Sequence, residues 1–261
     1  MEVPLYQVDA FTGERFRGNP AAVMPLDEWL EDERLQAIAA ENNLSETAFL
    51  LPGEGVRDLR WFTPTSEVAL CGHATLASAW VVFHRLTPDL QKIEFETQSG
   101  RLTVERRDDL LVMDFPSRPA GPAEPPRALV EGLGREPVDV LGGSRDYLVV
   151  YEEEAHVKKL KPDFARLRGL DRLGVIVTAP GTSCDFVSRF FAPGVGVPED
   201  PVTGSAHCTL TPYWTERLGR DDELVARQVS ARGGELVCRQ LGDRVSIGGD
   251  AVLYLEGTAT L

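Results

Sequence analysis

Arg60-Trp61-Phe62-Thr63-Pro64, followed by Gly72-His73-Ala74, returns later in the chain as Arg189-Phe190-Phe191-Ala192-Pro193 and then Gly204-Ser205-Ala206-His207. Each copy reads as an aromatic strand, a loop carrying an acid (Glu67, Asp200), and a glycine turn that opens into an apolar helix. Further landmarks repeat in the same order at a nearly constant offset: Gln98-Ser99-Gly100-Arg101-Leu102 is answered by Arg232-Gly233-Gly234-Glu235-Leu236. So long a period is the mark of a duplicated domain and not of a solenoid. The copies differ at one place, where Ser45-Glu46-Thr47-Ala48 is echoed by Ile176-Val177-Thr178-Ala179, which leaves Glu46 without an acidic twin.

Working outward, the run Pro116, Pro119, Pro122, Pro125 and Pro126 is the one clear linker. It divides the chain into an N-terminal lobe over 1–117, a Pro-rich linker over 118–127, and a C-terminal lobe over 128–261 whose last strand is able to cross back. In the first lobe, Pro4 to Ala10, Ala21 to Met24, Glu46 to Leu51 and Arg60 to Phe62 read as strands. A helix capped by Asp27 runs to about Asn42, and an almost wholly apolar one from His73 to Leu86 belongs inside its domain. The second lobe repeats the order, with a helix near Asp163 to Leu167 and another from Ser205 to about Leu218, which Pro212 is expected to kink. The fold class predicted is α+β: two pseudo-symmetric domains, each a curled, mostly antiparallel sheet wrapped around a central helix.

Composition narrows the function classes. With 41 acidic against 27 basic residues and a net charge of -14, neither nucleic acid nor an anionic membrane is an expected partner. The amino terminus lacks a signal core and the longest apolar stretch, Ala74 to Phe83, is too short for a bilayer, so a cytoplasmic protein is expected. Cys71, Cys184, Cys208 and Cys238 lack paired spacing and read as free thiols.

Glu46 is the first candidate for chemistry, a carboxylate at the edge of a strand among Leu44, Ala48 and Phe49, where desolvation suits it to acid/base work; a solvated surface glutamate is the plain alternative. The glycine turns Gly72-His73 and Gly204-Ser205 let a ligand approach backbone amides at two helix starts, able to hold a carboxylate or an enolate oxygen, unless they serve capping alone. Asp200, before Pro201, is placed to orient a substrate amine or hydroxyl or else to bond within its own loop. His73 at a helix start tends to stay neutral. Cys71, His73, His207 and Cys208 suggest zinc, but their spacing fits no structural zinc pattern, and no metal is expected. No P-loop, Gly-x-Gly-x-x-Gly or Gly-x-Ser-x-Gly motif is present, which removes support for nucleotide cofactors and serine hydrolysis.

Asp9-Ala10-Phe11, Gly18-Asn19-Pro20-Ala21-Ala22-Val23, Asn43-Leu44-Ser45-Glu46-Thr47-Ala48-Phe49, Cys71-Gly72-His73-Ala74-Thr75 and Glu199-Asp200-Pro201-Val202-Thr203-Gly204-Ser205-Ala206-His207, with the Arg60 motif, resemble the PhzF family of phenazine-biosynthesis-like isomerases, relatives of diaminopimelate epimerase. The resemblance implies a diaminopimelate-epimerase-like fold with a site in the cleft between lobes, no cofactor, no metal, and a homodimer. It implies that Glu46 moves a proton between carbons of a small carboxylate-bearing substrate, with His73, Asp200 and Ser205 as further catalytic residues and Asn19, Ser45, Gly72 and Gly204 as substrate contacts. The related epimerases place a cysteine at each glycine turn; here Cys71 fills the first place and Pro201 the second. Two other readings stand beside this one: an amino-acid epimerase or racemase, and a dimeric binding protein without catalysis.

Overall fold

A computed structural model describes residues 1–261. In chain order the elements are β1 (Glu2–Ala10), β2 (Asn19–Pro25), α1 (Asp32–Asn42), β3 (Glu46–Leu50), β4 (Val56–Phe62), β5 (Glu67–Val68), α2 (Gly72–Val81), β6 (Lys92–Thr97), β7 (Gly100–Arg107), β8 (Leu110–Pro116), β9 (Gly121–Pro122), α3 (Arg127–Leu133), β10 (Asp139–Gly142), β11 (Asp146–Val150), α4 (Glu154–Lys159), α5 (Phe164–Leu167), β12 (Gly174–Pro180), β13 (Phe186–Ala192), β14 (Val197–Asp200), α6 (Gly204–Leu218), β15 (Leu224–Gln228), β16 (Gly234–Leu241), β17 (Arg244–Gly249) and β18 (Ala251–Thr260). They form two compact units, one of Met1–Asp114 with Gly248–Leu261 and one of Phe115–Ile247.

The duplication read from the motifs extends to the strand pairings. In the first unit β18 pairs with β1, β1 antiparallel with β2, β2 parallel with β3, and β3 antiparallel with β4; β4 then pairs with β5 at its end and parallel with β6 at its start, and β6 with β7. The second unit runs through the same sequence of relations with β9, β10, β11, β12, β13, β14, β15 and β16. Because β4 and β13 each change partners along their length, each sheet curls. The sheets are mostly antiparallel, as expected, and each contains two parallel pairs, β2 with β3 and β4 with β6 in the first unit and β11 with β12 and β13 with β15 in the second, joined through helical crossovers.

The central helix of the first unit is α2, whose residues are buried on all faces from His73 to Ala79. Its hydroxyls survive burial by turning back on the helix: Thr75 Oγ1 donates to the Cys71 carbonyl at 2.5 Å and Ser78 Oγ to the Ala74 carbonyl at 2.7 Å. A π-helical turn over Val82–Leu86 continues it to the predicted end. In the second unit α6 is held by Trp214, whose Nε1 donates to Thr178 Oγ1 at 2.9 Å while its ring stacks on Phe186 with centroids 5.5 Å apart. Pro212 lies inside this helix without ending it.

Several local expectations are corrected. The first helix starts at Asp32, not after Asp27, with Glu31 in the cap position. Ser205 is the second residue of α6 and not its cap, a place taken by Thr203. Glu67 is matched by Glu199 rather than Asp200. Arg60 holds Glu67 through two nitrogens at 2.7 and 2.9 Å, and Arg189 holds Glu199 in the same way at 2.7 and 2.8 Å. Each fork lies over the phenylalanine of its own motif, Phe62 or Phe191. The repeated Arg-aromatic-Phe therefore encodes a structural clamp tying the aromatic strand to its loop.

Candidate active site

The site residues of the first unit converge where β2, β3 and α2 begin. Glu46 is the first residue of β3 and lies opposite Ala21 in the parallel ladder. Asn19 opens β2 and is fully buried. His73 is the second residue of α2, 5% exposed. Its Nε2 lies 3.1 Å from Glu46 Oε2, and its Nδ1 lies 3.2 Å from Asn19 Nδ2 and 3.5 Å from Cys71 Sγ. Ser45 Oγ donates to Asn19 Oδ1 at 3.2 Å. Four of the expected residues, Glu46, His73, Asn19 and Ser45, thus form one connected group, and Gly72 stands at its edge as the first residue of the helix.

The Glu46–His73 contact is close without being an aligned hydrogen bond: Oε2 and Nε2 are both buried atoms lacking a properly directed partner. Such a carboxylate oxygen has a charge neighbour but an open lone pair, which suits it to take a proton from a third group. In the neutral ring, an Asn19 Nδ2 donating to Nδ1 leaves the proton on Nε2, facing Glu46. Burial opposes a charge on His73, but the Glu46 carboxylate beside Nε2 raises its pKa well above the ordinary value. Cys71 is itself pushed up, first by burial and then by Glu46, so the thiol stays neutral and the Glu46 carboxylate is the anion that favours the imidazolium. Charging the ring requires the Asn19 amide to turn its oxygen toward Nδ1 and the Ser45 hydroxyl to become the acceptor.

Glu46, Cys71 and His73 bring one donor atom each within 4.8 Å of one another, a donor set of zinc type. The imidazole, however, stands between its neighbours, turning Nε2 to the carboxylate and Nδ1 to the thiol. A single ion takes one nitrogen of a ring, so the three groups form a chain and not a cage. His207 and Cys208, grouped with Cys71 and His73 by the sequence, are both buried in the second unit, where His207 Nδ1 donates to the Thr203 carbonyl at 2.8 Å.

In the second unit Gly204 and Ser205 open α6. Neither α2 nor α6 has a side-chain cap, which leaves the first-turn amides of both helices for another acceptor. Asp200 is engaged locally: its Oδ2 accepts from Thr203 Oγ1 at 2.6 Å, and its backbone oxygen from Gln228 Nε2 at 2.7 Å. Gln228 also receives the Thr203 amide at 2.9 Å. This glutamine, 1% exposed, shapes the loop before α6 and was not singled out by the sequence, where a lone Gln on a strand carries no signal.

Residues 8–257 match the family described as phenazine biosynthesis-like protein, PhzC-PhzF. The chain belongs to that family. It is 55% identical over 261 residues to an uncharacterized isomerase of Pseudomonas aeruginosa, covering 100% of both proteins. Among solved structures, a PhzF-family phenazine biosynthesis protein of Enterococcus faecalis superposes with a TM-score of 0.97 at 46% identity, covering 100% of each chain. A hydroxyproline epimerase of Agrobacterium vitis shares the fold alone, with a TM-score of 0.62 at 12% identity over 98% of this chain and 92% of that one. Among PhzC-PhzF proteins, then, this one has the α+β architecture expected from its motifs, and no helix long and apolar enough to cross a membrane.

Proposed function

We propose that this PhzC-PhzF protein is a cofactor-independent isomerase that moves a proton between carbons of a small carboxylate-bearing substrate, with Glu46 as the single acid/base. The observation that carries the reading is the buried Glu46 Oε2, 3.1 Å from His73 Nε2 and lacking an aligned donor. In the forward step the Glu46 carboxylate takes a proton from a substrate carbon. The C–H electron pair moves into the conjugated system, and the negative charge collects on the substrate's carboxyl or enol oxygen. Uncapped amides at Gly72 and His73 are suited to receive that charge, an effect worth about 3 kcal/mol per donor. The Glu46 carboxylic acid then returns the proton to a second carbon, and His73 stabilises the anion whenever Glu46 is ionised. Asp200, Ser205 and Gly204 are proposed as further ligand contacts, and a homodimer belongs to the same reading, which sedimentation equilibrium tests.

In heavy water Glu46→Gln is expected to abolish exchange of the substrate's carbon-bound proton, a loss of about 10²–10⁴-fold, with ligand affinity nearly kept. An unchanged exchange rate in that variant overturns the assignment.

Epimerisation is the second reading, favoured by Cys71 at 3.5 Å from His73. Its weakness is chemical: a thiol whose ionisation is suppressed by burial and by Glu46 makes a poor base.

A further inference from the structure

The ladders relocate the twin of Glu46. Phe62 lies opposite Thr47, and its equivalent Phe191 lies opposite Val175, so the residue equivalent to Glu46 is Gly174 and not Val177. Glu46 pairs across the parallel ladder with Ala21, and Gly174 pairs with Asp146. The acid has therefore crossed one strand: within its own unit Asp146 stands on β11 beside the position that Glu46 holds on β3. Gly174 makes this possible, because a Cβ there would meet Asp146 Oδ1 at 2.7 Å and the Phe190 ring at 2.4 Å.

Asp146 is 6% exposed, and its Oδ1 is buried without a hydrogen-bond partner. Burial pushes its carboxyl up, opposed in turn by Arg145, Arg118, the Gly174 amide and Arg172, and Oδ1 keeps an open lone pair. The guanidiniums of Arg118 and Arg145 also act on the thiol of Cys208 on α6, so Asp146 and Cys208 share both cations as charge neighbours. Arg118 is tied there by its backbone amide, which donates to the Cys208 carbonyl at 2.9 Å, and Arg145 by its carbonyl, which accepts from Leu173 at 2.8 Å. Both side chains are half-buried, and neither closes an ion pair, in a chain with 41 acidic residues to choose from. Arg172, by contrast, is engaged, donating to the Gly143 carbonyl and lying over Tyr147.

Two cations outside any ion pair, beside a buried carboxyl whose Oδ1 has no aligned donor, describe the complement of a specific ligand: an anion with an O–H or N–H one or two atoms away. We propose that Arg118, Arg145 and Asp146 form a binding subsite of the second unit for a carboxylic acid carrying a neighbouring hydroxyl or amino group. The carboxylate is held by the two guanidiniums and the neighbouring donor by Asp146 Oδ1. The subsite is independent of the proton transfer assigned to Glu46.

Glycolate and acetate, which differ by one hydroxyl, are the probes. Each is titrated into the intact protein while the backbone amide signals of Gly143 and Gly174, which flank Asp146, are followed by NMR. Glycolate is expected to bind at least fivefold more tightly than acetate. Asp146→Leu brings that ratio to about one, whereas Arg145→Gln and Arg118→Gln weaken both probes at least fivefold and keep the ratio. No movement of these amides, equal affinity for the two acids in the unaltered protein, or unchanged titrations in both arginine variants overturns the subsite. If Asp146→Leu fails to fold, the arginine variants decide alone. Glu46→Gln is expected to leave both titrations unchanged, so failure of the isomerase reading and failure of this one are separately visible.

Discussion

Asn19 Nδ2 reaches His73 Nδ1 at 3.2 Å from a position buried completely inside the first unit. That contact decides which nitrogen of the ring faces Glu46 with a proton. Asn19→Leu keeps approximate volume and removes both the donor and the acceptor. The expected outcome is a fall in turnover of about tenfold to a hundredfold with a smaller change in KM, because the ring loses the side chain that orients it toward Glu46 while the carboxylate stays. Nitrogen-15 shifts of His73, recorded at a pH where the ring is neutral, check the cause: a mixture of tautomers is expected in the variant and a single one in the unaltered protein.

For Cys71→Ala the expectation is turnover within about threefold of the original, since the thiol is neutral and acts on the imidazole only as a weak partner. Steady-state kinetics with the same substrate test this. A drop of several orders of magnitude would move the mechanism to a thiol base and to epimerisation.

Acid stability is expected to depend on His207. Burial holds this histidine at about 4 in the fold, against an ordinary value of 6.5. Above 6.5 it is neutral in both states and costs nothing. As pH falls from 6.5 toward 4 the unfolded chain takes up a proton that the fold refuses, so stability drops by up to ~3 kcal/mol. The equivalent position in α2 is Thr75, whose hydroxyl reaches the carbonyl one turn back just as His207 Nδ1 does. His207→Thr borrows that solution: urea midpoints measured at pH 7 and pH 4.5 are expected to differ less in the variant than in the parent, even though the cavity left by the ring lowers both. Glu154, held at about 2 by Lys158 and Thr182 against an ordinary 4.5, gives up its stabilisation as pH falls from 4.5 toward 2, so it meets the His207 window only at its acid end.

Arg189 is expected to matter more for stability than any exposed ion pair. It grips Glu199 twice and also donates to the carbonyls of Val157 at 3.1 Å and Leu160 at 2.9 Å, with 11% of its side chain exposed. Arg189→Met leaves a carboxylate and two carbonyls short of donors, a loss of ~3 kcal/mol in urea unfolding. Arg189→Lys keeps the charge without the fork and is expected to lose about half as much.

Much of this protein was legible before any coordinate. The repeat of Arg60-Trp61-Phe62 in Arg189-Phe190-Phe191 announces duplication, and the apolar run after Gly72 announces a buried helix, because both signals depend only on local residue type and spacing. The grouping of Glu46 with His73, Asn19 and Ser45 followed from a family resemblance, and the distances give it physical content. What tertiary structure alone decided is register. Matching by eye paired Glu46 with Val177 and Glu67 with Asp200, whereas the ladders pair them with Gly174 and Glu199. A shift of one or three residues along a strand turns a side chain to the opposite face of its sheet, and nothing in a linear motif records which face that is. For the same reason no linear motif singles out Asp146, while the parallel pairing with Gly174 places its carboxyl in a buried gap that a glycine keeps open.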